Sequence, residues 1–478
     1  MKDLPIYFKN TLSGQLEEFK PVDSGNVGMY TCGPTVYGNV HIGNLRAYVF
    51  ADLVRNTLIY NGYDVKQITN ITDVGHLVSD EDEGADKVEE QAKKESLDAK
   101  VITQKYTDYF MSSLVKLEIE TKSTQFPKAS ENIPEQIRMI ETLFEKEFAY
   151  IIDDGVYFDT SKFPEYGELG NINIKGLKEG ARVNSNSQKK NSTDFALWKF
   201  SKEKRLQEWK SPWGVGFPGW HIECSAMASK FLGDTFDIHT GGVDHIPTHH
   251  NNEIAQSVAT HDKPLANYWL HVNHITIDGK KISKSTGNTA YLEDLETKGI
   301  SPLDYKYWLY TSHYSTLSNF TYEAVIAAQK GLNSIRQIFS VAGSLEDSNY
   351  KVPIGEISRN YLEKFIAHIN NNLDTPKAIA LTHQLLSDKR IVWPDKRATI
   401  LEFDKVLKLD LSKTVEKVEV VEVVETISSV ITDLAQKRQT ARADRDYAKA
   451  DALREEIENQ GYMIRDTDDE VGYKIDKK

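Results

Sequence analysis

The sequence predicts an α/β protein built on a doubly wound parallel sheet, split by an insertion and followed by an α-helical bundle and a small C-terminal unit. Three observations carry that reading. GMYTCG (28–33) reads as a short strand ending in a glycine turn, and DVKQITNIT (64–72) as a second strand. Between them Leu45, Val49, Leu53 and Leu58 recur at helical spacing from about Asn44 to Tyr63. Strand, helix, strand is the unit of a parallel doubly wound sheet. Buried-strand patterns return only much later, in FDIHTGG and YWLHVNHITID, so the sheet is interrupted.

The intervening chain is uneven. SDEDEGADKVEEQAKKE (79–95) reads as a solvated helix or loop face, and residues from about 120 to 210 as mixed and turn-rich. VNSNSQKKNS (183–192) is polar, has no periodicity and predicts a mobile loop. The α/β signal resumes near Trp213. After about Ser301 the pattern turns helical, with Val325, Ala328, Leu332, Ile335 and Phe339 forming one stripe. Residues 361–386 predict two helices meeting near Thr375-Pro376. Near Val420 a last unit begins, with Ile427, Val430, Ile431 and Leu434 on one apolar face. It continues into a basic stripe, KRQTARADRDYAKADALR (437–454), with six basic against three acidic side chains. The expected divisions are 1–120, 121–210, 211–300, 301–410 and 411–478.

The chain has 478 residues, a formal net charge of −13 and only two cysteines, Cys32 and Cys224. An acidic protein touches nucleic acid through local patches rather than through overall charge. Two cysteines make no disulfide framework at this length. No apolar run approaches the roughly 18 residues of a membrane helix, and MKDLPIYFKNTLSGQ lacks the apolar core of a secretory signal. A soluble, cytoplasmic protein is expected.

Three motifs carry chemistry. His41-Ile42-Gly43-Asn44 lies where a strand passes into a helix, whose N-terminus favours a phosphate. Alone it is weak, since four residues recur by chance and His41 could simply satisfy a turn. GKKISKSTGN (279–288) places Lys281 and Lys284 among small, flexible residues. Such a loop can close over a polyphosphate and stabilise developing charge; the bland alternative is an exposed lysine turn. THHNNE (248–253) puts His249 and Glu253 four residues apart, on one face if helical. With Cys32 and Cys224 they form a zinc pattern in which the metal does chemistry. The alternative is one buried cysteine and one incidental one.

HIGN and KISKS together resemble the paired ATP signatures of class I aminoacyl-tRNA synthetases. MYTCGPTVYGNVHIGN, QITNITDVGHL, GWHIECSAM, FDIHTGGVDHIPTHHNNEIAQS and DGKKISKSTGN resemble the cysteine-specific subgroup. So do STLSNFTYEA and NNLDTPKAIA, and towards the C-terminus ARADRDYAKADALREEI and IRDTDDE. The resemblance implies a Rossmann-type catalytic domain in two halves (1–120 and 211–300), a connective insertion (121–210), a stem-contact region with helical bundle (301–410) and an anticodon unit (411–478). It implies one zinc held by Cys32, Cys224, His249 and Glu253, with the metal reading the substrate thiol. ATP, with Mg2+, would be bound by His41, Gly43, Asn44, Gly241, Gly242, Asp244, Lys281, Ser283, Lys284 and Ser285. Of these His41, Asn44 and Lys284 would be catalytic, and Lys284 would act on the activation transition state. Thr72 and Trp220 match positions lining the cysteine site, and Arg442, Asp451 and Asp466 positions that read anticodon bases. The sequence departs from the pattern in Ile282, where methionine is common, and in lacking a tryptophan near the C-terminus, where Tyr473 offers a stacking surface instead.

The implied activity is ATP-dependent activation of L-cysteine and transfer to the 3′ end of tRNA(Cys), by a monomer. Two other functions compete. A ligase joining cysteine to a small sugar amine would share the zinc and ATP sites but would not need the basic C-terminal unit. A non-catalytic RNA-binding paralogue should have lost part of HIGN, KISKS or the zinc set, and none is lost.

Overall fold

The computed structural model describes residues 4–74, 86–172, 186–201, 203–282, 287–343, 355–413, 429–467 and 473–477. The chain divides into two compact units, Met1–Thr414 and Val415–Lys478.

The first unit opens with an antiparallel pair, β1 (Tyr7–Lys9) and β2 (Leu16–Glu18). β3 (Asn26–Thr31), α1 (Ile42–Tyr60) and β4 (Asp64–Thr69) then form the expected strand–helix–strand unit. Leu45, Val49, Leu53 and Leu58 are all buried, as their spacing predicted. α1 is buried on its polar positions too. Arg46 is 3% exposed because its guanidinium donates to three carbonyls, those of His274 (2.6 Å), Tyr314 (3.2 Å) and Thr316 (2.8 Å). These bonds are what make burial of that charge tolerable.

The chain next forms α2 (Lys87–Glu95), α3 (Ala99–Lys116) and α4 (Ile133–Glu145). Asp86 caps α2, so the described part of the acidic stretch is helix. The stretch read as turn-rich is more regular than expected. It holds α4 and a five-stranded antiparallel sheet of β5 (Ala149–Ile152), β6 (Gly155–Phe158), β7 (Phe195–Phe200), β8 (Trp209–Ser211) and β9 (Gly214–Pro218). Its strands are too short for a period-2 pattern to stand out, and a register shift falls between Val156 and Tyr157. Residues 209–218 pair with this sheet, so the parallel sheet returns at Phe236 and not near Trp213. Residues 183–185 of the expected mobile loop lie outside the described residues. Residues 186–192 are held by side chains: the Gln188 amide donates to Asp153, and Lys190 pairs with Asp159.

α5 (Trp220–Leu232), β10 (Phe236–Gly242), α6 (His249–His261) and β11 (Ala266–Val272) complete the doubly wound part. The sheet order is β11-β10-β3-β4, and all three pairings are parallel. The chain runs outward from β3 to β4 and returns on the other side of β3. The switch point therefore lies between the C-terminal ends of β3 and β10, where folds of this kind bind ligands.

A small sheet of β12 (Ile275–Ile277), β13 (Lys280–Lys281) and β14 (Ser318–Phe320) brackets α7 (Leu292–Glu296) and α8 (Pro302–Tyr310). The bundle adds α9 (Tyr322–Gly343), α10 (Arg359–Asn370), α11 (Thr375–Ser387) and α12 (Trp393–Leu407). α10 and α11 meet at Thr375-Pro376 as expected, and the five residues of the α9 stripe are buried.

The second unit is not all helix. It pairs α13 (Ser429–Ala443) and α14 (Tyr447–Asn459) with a hairpin of β15 (Tyr462–Asp466) and β16 (Tyr473–Lys477). Ile431, Leu434, Ala435, Ile457 and Ile464 make its core. Ile427 and the side chain of Val430 lie outside the described residues. Among the described residues no helix is long and apolar enough to cross a membrane.

Candidate active site

Cys32 follows β3 directly and so reaches the sheet's C-terminal edge. Cys224 lies one turn into α5, and His249 and Glu253 lie on the first turns of α6. These elements bring the four sequence-predicted ligands together. Their donor atoms all lie within 4.8 Å of one another, and all four residues are buried. His249 Nε2 is 3.0 Å and Cys32 Sγ 3.6 Å from Glu253 Oε1. Zinc bonds of 2.0–2.3 Å imply a tetrahedron with edges of about 3.3–3.8 Å, so two thiols, an imidazole and a carboxylate fit that ion in type and spacing.

The electrostatics agree. A hydrogen bond from the Cys32 thiol, helped by His249, holds the Cys224 thiol down at about 6, while burial pushes the Cys32 thiol up. Burial alone would lower His249, but Glu253 and Cys224 outweigh it and hold the imidazole at about 10. Burial would likewise raise Glu253, yet His239 and His249 keep it well below the carboxylate range. The group thus sets a Cys224 thiolate and the Glu253 carboxylate against a protonated His249, and a dication bound there would displace the His249 and Cys32 protons.

A shell of histidines surrounds these donors, and the sequence reading missed it. His221 Nδ1 lies 2.8 Å from His249 Nδ1, which leaves His249 Nε2 facing the other donors. His239 Nε2 is 2.9 Å from Glu253 Oε2, and its ring stacks on Trp269. His250 Nε2 is 3.3 Å from Cys32 Sγ, while its Nδ1 lies 2.7 Å from His271. Such outer partners orient ligands and tune them. Cys32, His239, His250 and Glu253 also lie within 4.8 Å of one another, but this group shares Cys32 and Glu253 with the first. The available signal was the density of histidine in FDIHTGGVDHIPTHH and WLHVNH.

Of the residues expected around cysteine, Thr72 is buried and Trp220 opens α5. The Trp220 ring lies 4.3 Å from that of His249.

HIGN sits at the start of α1. His41 is the N-cap, and its Nδ1 accepts the Asn44 N–H at 3.1 Å while Asn44 Oδ1 accepts the His41 N–H at 3.2 Å. This reciprocal cap puts the proton of a neutral His41 ring on Nε2, as a donor. There is no acidic residue in the helix's first turn to oppose an anion. A Cβ on Gly43 would lie 2.8 Å from Ile282 Cδ1, so Ile282 of the second signature packs directly on the first. Lys281 is exposed on β13, and Asn288 Nδ2 donates to its carbonyl at 3.0 Å. Ser283, Lys284 and Ser285 lie outside the described residues. Gly241 and Gly242 end β10; a Cβ on Gly241 would meet the His250 ring at 2.6 Å, so the backbone there runs against the histidine shell. Asp244 is exposed in the turn that follows.

In the second unit, Arg442 and Asp466 pair with each other at 3.3 Å, and buried Arg438 holds Asp466 at 2.9 Å. Asp451 is exposed on α14. Tyr473, expected to offer a stacking surface, instead packs on the unit's core. The exposed aromatic is Tyr447, at the start of α14.

Residues 18–330 match the family described as tRNA synthetases class I (C) catalytic domain, and residues 427–473 the cysteinyl-tRNA ligase anticodon binding domain. The chain belongs to the cysteine–tRNA ligase family of class I aminoacyl-tRNA synthetases. Among its relatives, cysteine–tRNA ligase 1 of Burkholderia lata is 42% identical over 467 residues, covering 97% of this chain and 96% of its own. The Thermus thermophilus cysteine–tRNA ligase is 35% identical over 483 residues, 99% of this chain and all of its own. Solved structures confirm the fold at low identity. Mycobacterium tuberculosis methionyl-tRNA synthetase bound by methionyl-adenylate aligns with a TM-score of 0.53 at 13% identity, covering 80% of this chain and 90% of its own. Agrobacterium radiobacter LeuRS, in a ternary complex with tRNA and LeuAMS, reaches 0.58 at 12%, covering 83% and 86%.

Proposed function

We propose that this family member activates L-cysteine with ATP and Mg2+ to cysteinyl-adenylate, and transfers the cysteinyl group to the terminal ribose of tRNA(Cys). The buried Cys32–Cys224–His249–Glu253 set at the switch point of the sheet carries this reading. It would hold one zinc, with His239 and His250 outside it. When bound, zinc supplies a soft Lewis-acid contact that prefers a thiolate to a hydroxyl. That suits a site that must reject serine, which a pocket alone rejects weakly.

The chain's own residues supply positioning and charge. Thr72 and Trp220 border the amino acid. The N-terminus of α1 and the Nε2–H of His41 face phosphate oxygens. Gly43, Gly241 and Gly242 let backbone approach the nucleotide, with Asp244, Lys281, Ser283 and Ser285 around it. The substrate carboxylate attacks the α-phosphorus and pyrophosphate leaves, so no side-chain nucleophile is required. Cysteine-dependent pyrophosphate exchange, followed by charging of total tRNA, tests the whole reading. Exchange driven by another amino acid, or by none, would remove it.

Arg442, Asp451 and Asp466 are assigned to anticodon bases. With Asp466 already bridging Arg438 and Arg442, it also orients the Arg442 guanidinium. Exposed Tyr447 is added as a stacking surface. The match of residues 427–473 to an anticodon domain supports tRNA over a small amine as acceptor. Leu411 is fully buried and its N–H bonds Asp404, so a truncation should end at Lys413. Such a chain is expected to keep pyrophosphate exchange but to charge tRNA poorly, with a weaker salt dependence of tRNA binding. Arg442→Ala should reduce discrimination against altered anticodons by about tenfold or more. Normal charging by the truncated chain would deny the second unit any recognition role.

A further inference from the structure

Asn70 lies within QITNITDVGHL but was given no role above. It follows β4 and is 1% exposed. Its Oδ1 accepts the Gly33 N–H at 2.7 Å, and its Nδ2 donates to Thr72 Oγ1 at 3.0 Å. A Cβ on Gly33 would lie 1.4 Å from the Asn70 carbonyl oxygen, so only glycine allows this approach of the two strand ends. The Thr72 backbone closes the same junction, donating to Pro34 O at 3.1 Å and accepting from Val36 N at 3.1 Å. One side-chain amide therefore ties the residue after Cys32 to the hydroxyl assigned to the amino-acid pocket.

The bonding also gives that hydroxyl a direction. A threonine hydroxyl has one proton and two lone pairs. Asn70 occupies one lone pair. The remaining lone pair is an acceptor.

We propose that Asn70 is a positioning residue that holds the Thr72 hydroxyl with a lone pair turned to accept from the α-ammonium of the amino-acid substrate. Asn70 thereby couples the loop carrying Cys32 to recognition of the group next to the thiol. This rests on the cysteine-activation reading above.

The test is a double-mutant cycle of Asn70→Ala and Thr72→Val, read in cysteine-dependent pyrophosphate exchange. Inhibition by 3-mercaptopropionic acid, a thiol without the ammonium, and zinc content are followed alongside. Each single variant should raise the KM for cysteine about tenfold with little change in kcat. The double variant should be no worse than Thr72→Val alone. Inhibition by 3-mercaptopropionic acid and the zinc content should stay at wild-type values. Additive losses, equal weakening of the ammonium-free thiol, or loss of zinc would overturn the proposal. If Asn70→Ala does not fold, Thr72→Val decides: it should lose the wild type's preference for cysteine over 3-mercaptopropionic acid, and a preserved preference overturns the proposal. A wild-type protein without cysteine-dependent exchange would instead bring down the underlying reading.

Discussion

Cys224→Ser is expected to abolish metal retention and cysteine activation together. Purified wild-type protein should carry about one zinc per chain. Serine keeps the size of the side chain but offers a hydroxyl that resists deprotonation, where Cys224 offers a thiol held at about 6. Three donors would remain, one of them the Cys32 thiol that burial pushes up. The fold should survive, because Cys224 lies in a cluster with Met227, Ala228 and Trp269 that serine's size does not disturb, and the His249–Glu253 pair at 3.0 Å needs no metal to persist. Loss of exchange activity by more than about 100-fold is expected, above what losing an outer-shell partner costs. Elemental analysis, a thermal melt and pyrophosphate exchange separate the cases. A variant that is metal-free, folded and fully active would sink the metal reading. A stoichiometry of two would mean that His239 and His250 hold a second ion through the shared Cys32 and Glu253.

The parts of the site visible in the sequence are those fixed by short-range rules. His41 and Asn44 fall at the N-cap and third position of a helix, and the apolar spacing of α1 already announced where that helix begins. His249 and Glu253 share a helix face for the same reason. Their meeting with Cys32 and Cys224 is a different matter. It depends on β10 adding to β3 and on α5 running beside α6, pairings that leave no local periodicity; the resemblance to a family supplied them. The histidine shell and Asn70 were missed because a buried polar side chain looks the same in sequence whether it serves a ligand or only a neighbour. The antiparallel insertion and the β15–β16 hairpin were missed for a simpler reason. Strands of three to six residues give too few alternations to rise above the polar background.

The same distinction bears on Lys284, whose side chain lies outside the described residues while both flanks of its loop are placed. On one side Ile282 packs against Gly43 at the start of α1; on the other, Asn288 hydrogen-bonds the carbonyls of Lys280 and Lys281. Of the described flanks, Ile282 thus lies beside the helix terminus assigned to the phosphates. Negative charge builds on the departing pyrophosphate as the cysteine carboxylate attacks. As proposed above, cysteine is held by the metal ligands, so a lysine of this signature would meet that charge without contributing to the hold on cysteine. Lys284→Ala should consequently lower the rate of adenylate formation by about 10²–10³-fold, the range for removal of one preorganised charge-stabilising donor. The KM for cysteine should change little, so kcat and kcat/KM fall together. Lys281→Ala provides the internal comparison. That residue is exposed on β13, and its loss should cost far less. Single-turnover measurement of adenylate at saturating ATP and cysteine reads the chemical step directly. A large rise in the cysteine KM at unchanged turnover would place Lys284 in amino-acid binding and leave the leaving-group charge to the α1 terminus and His41.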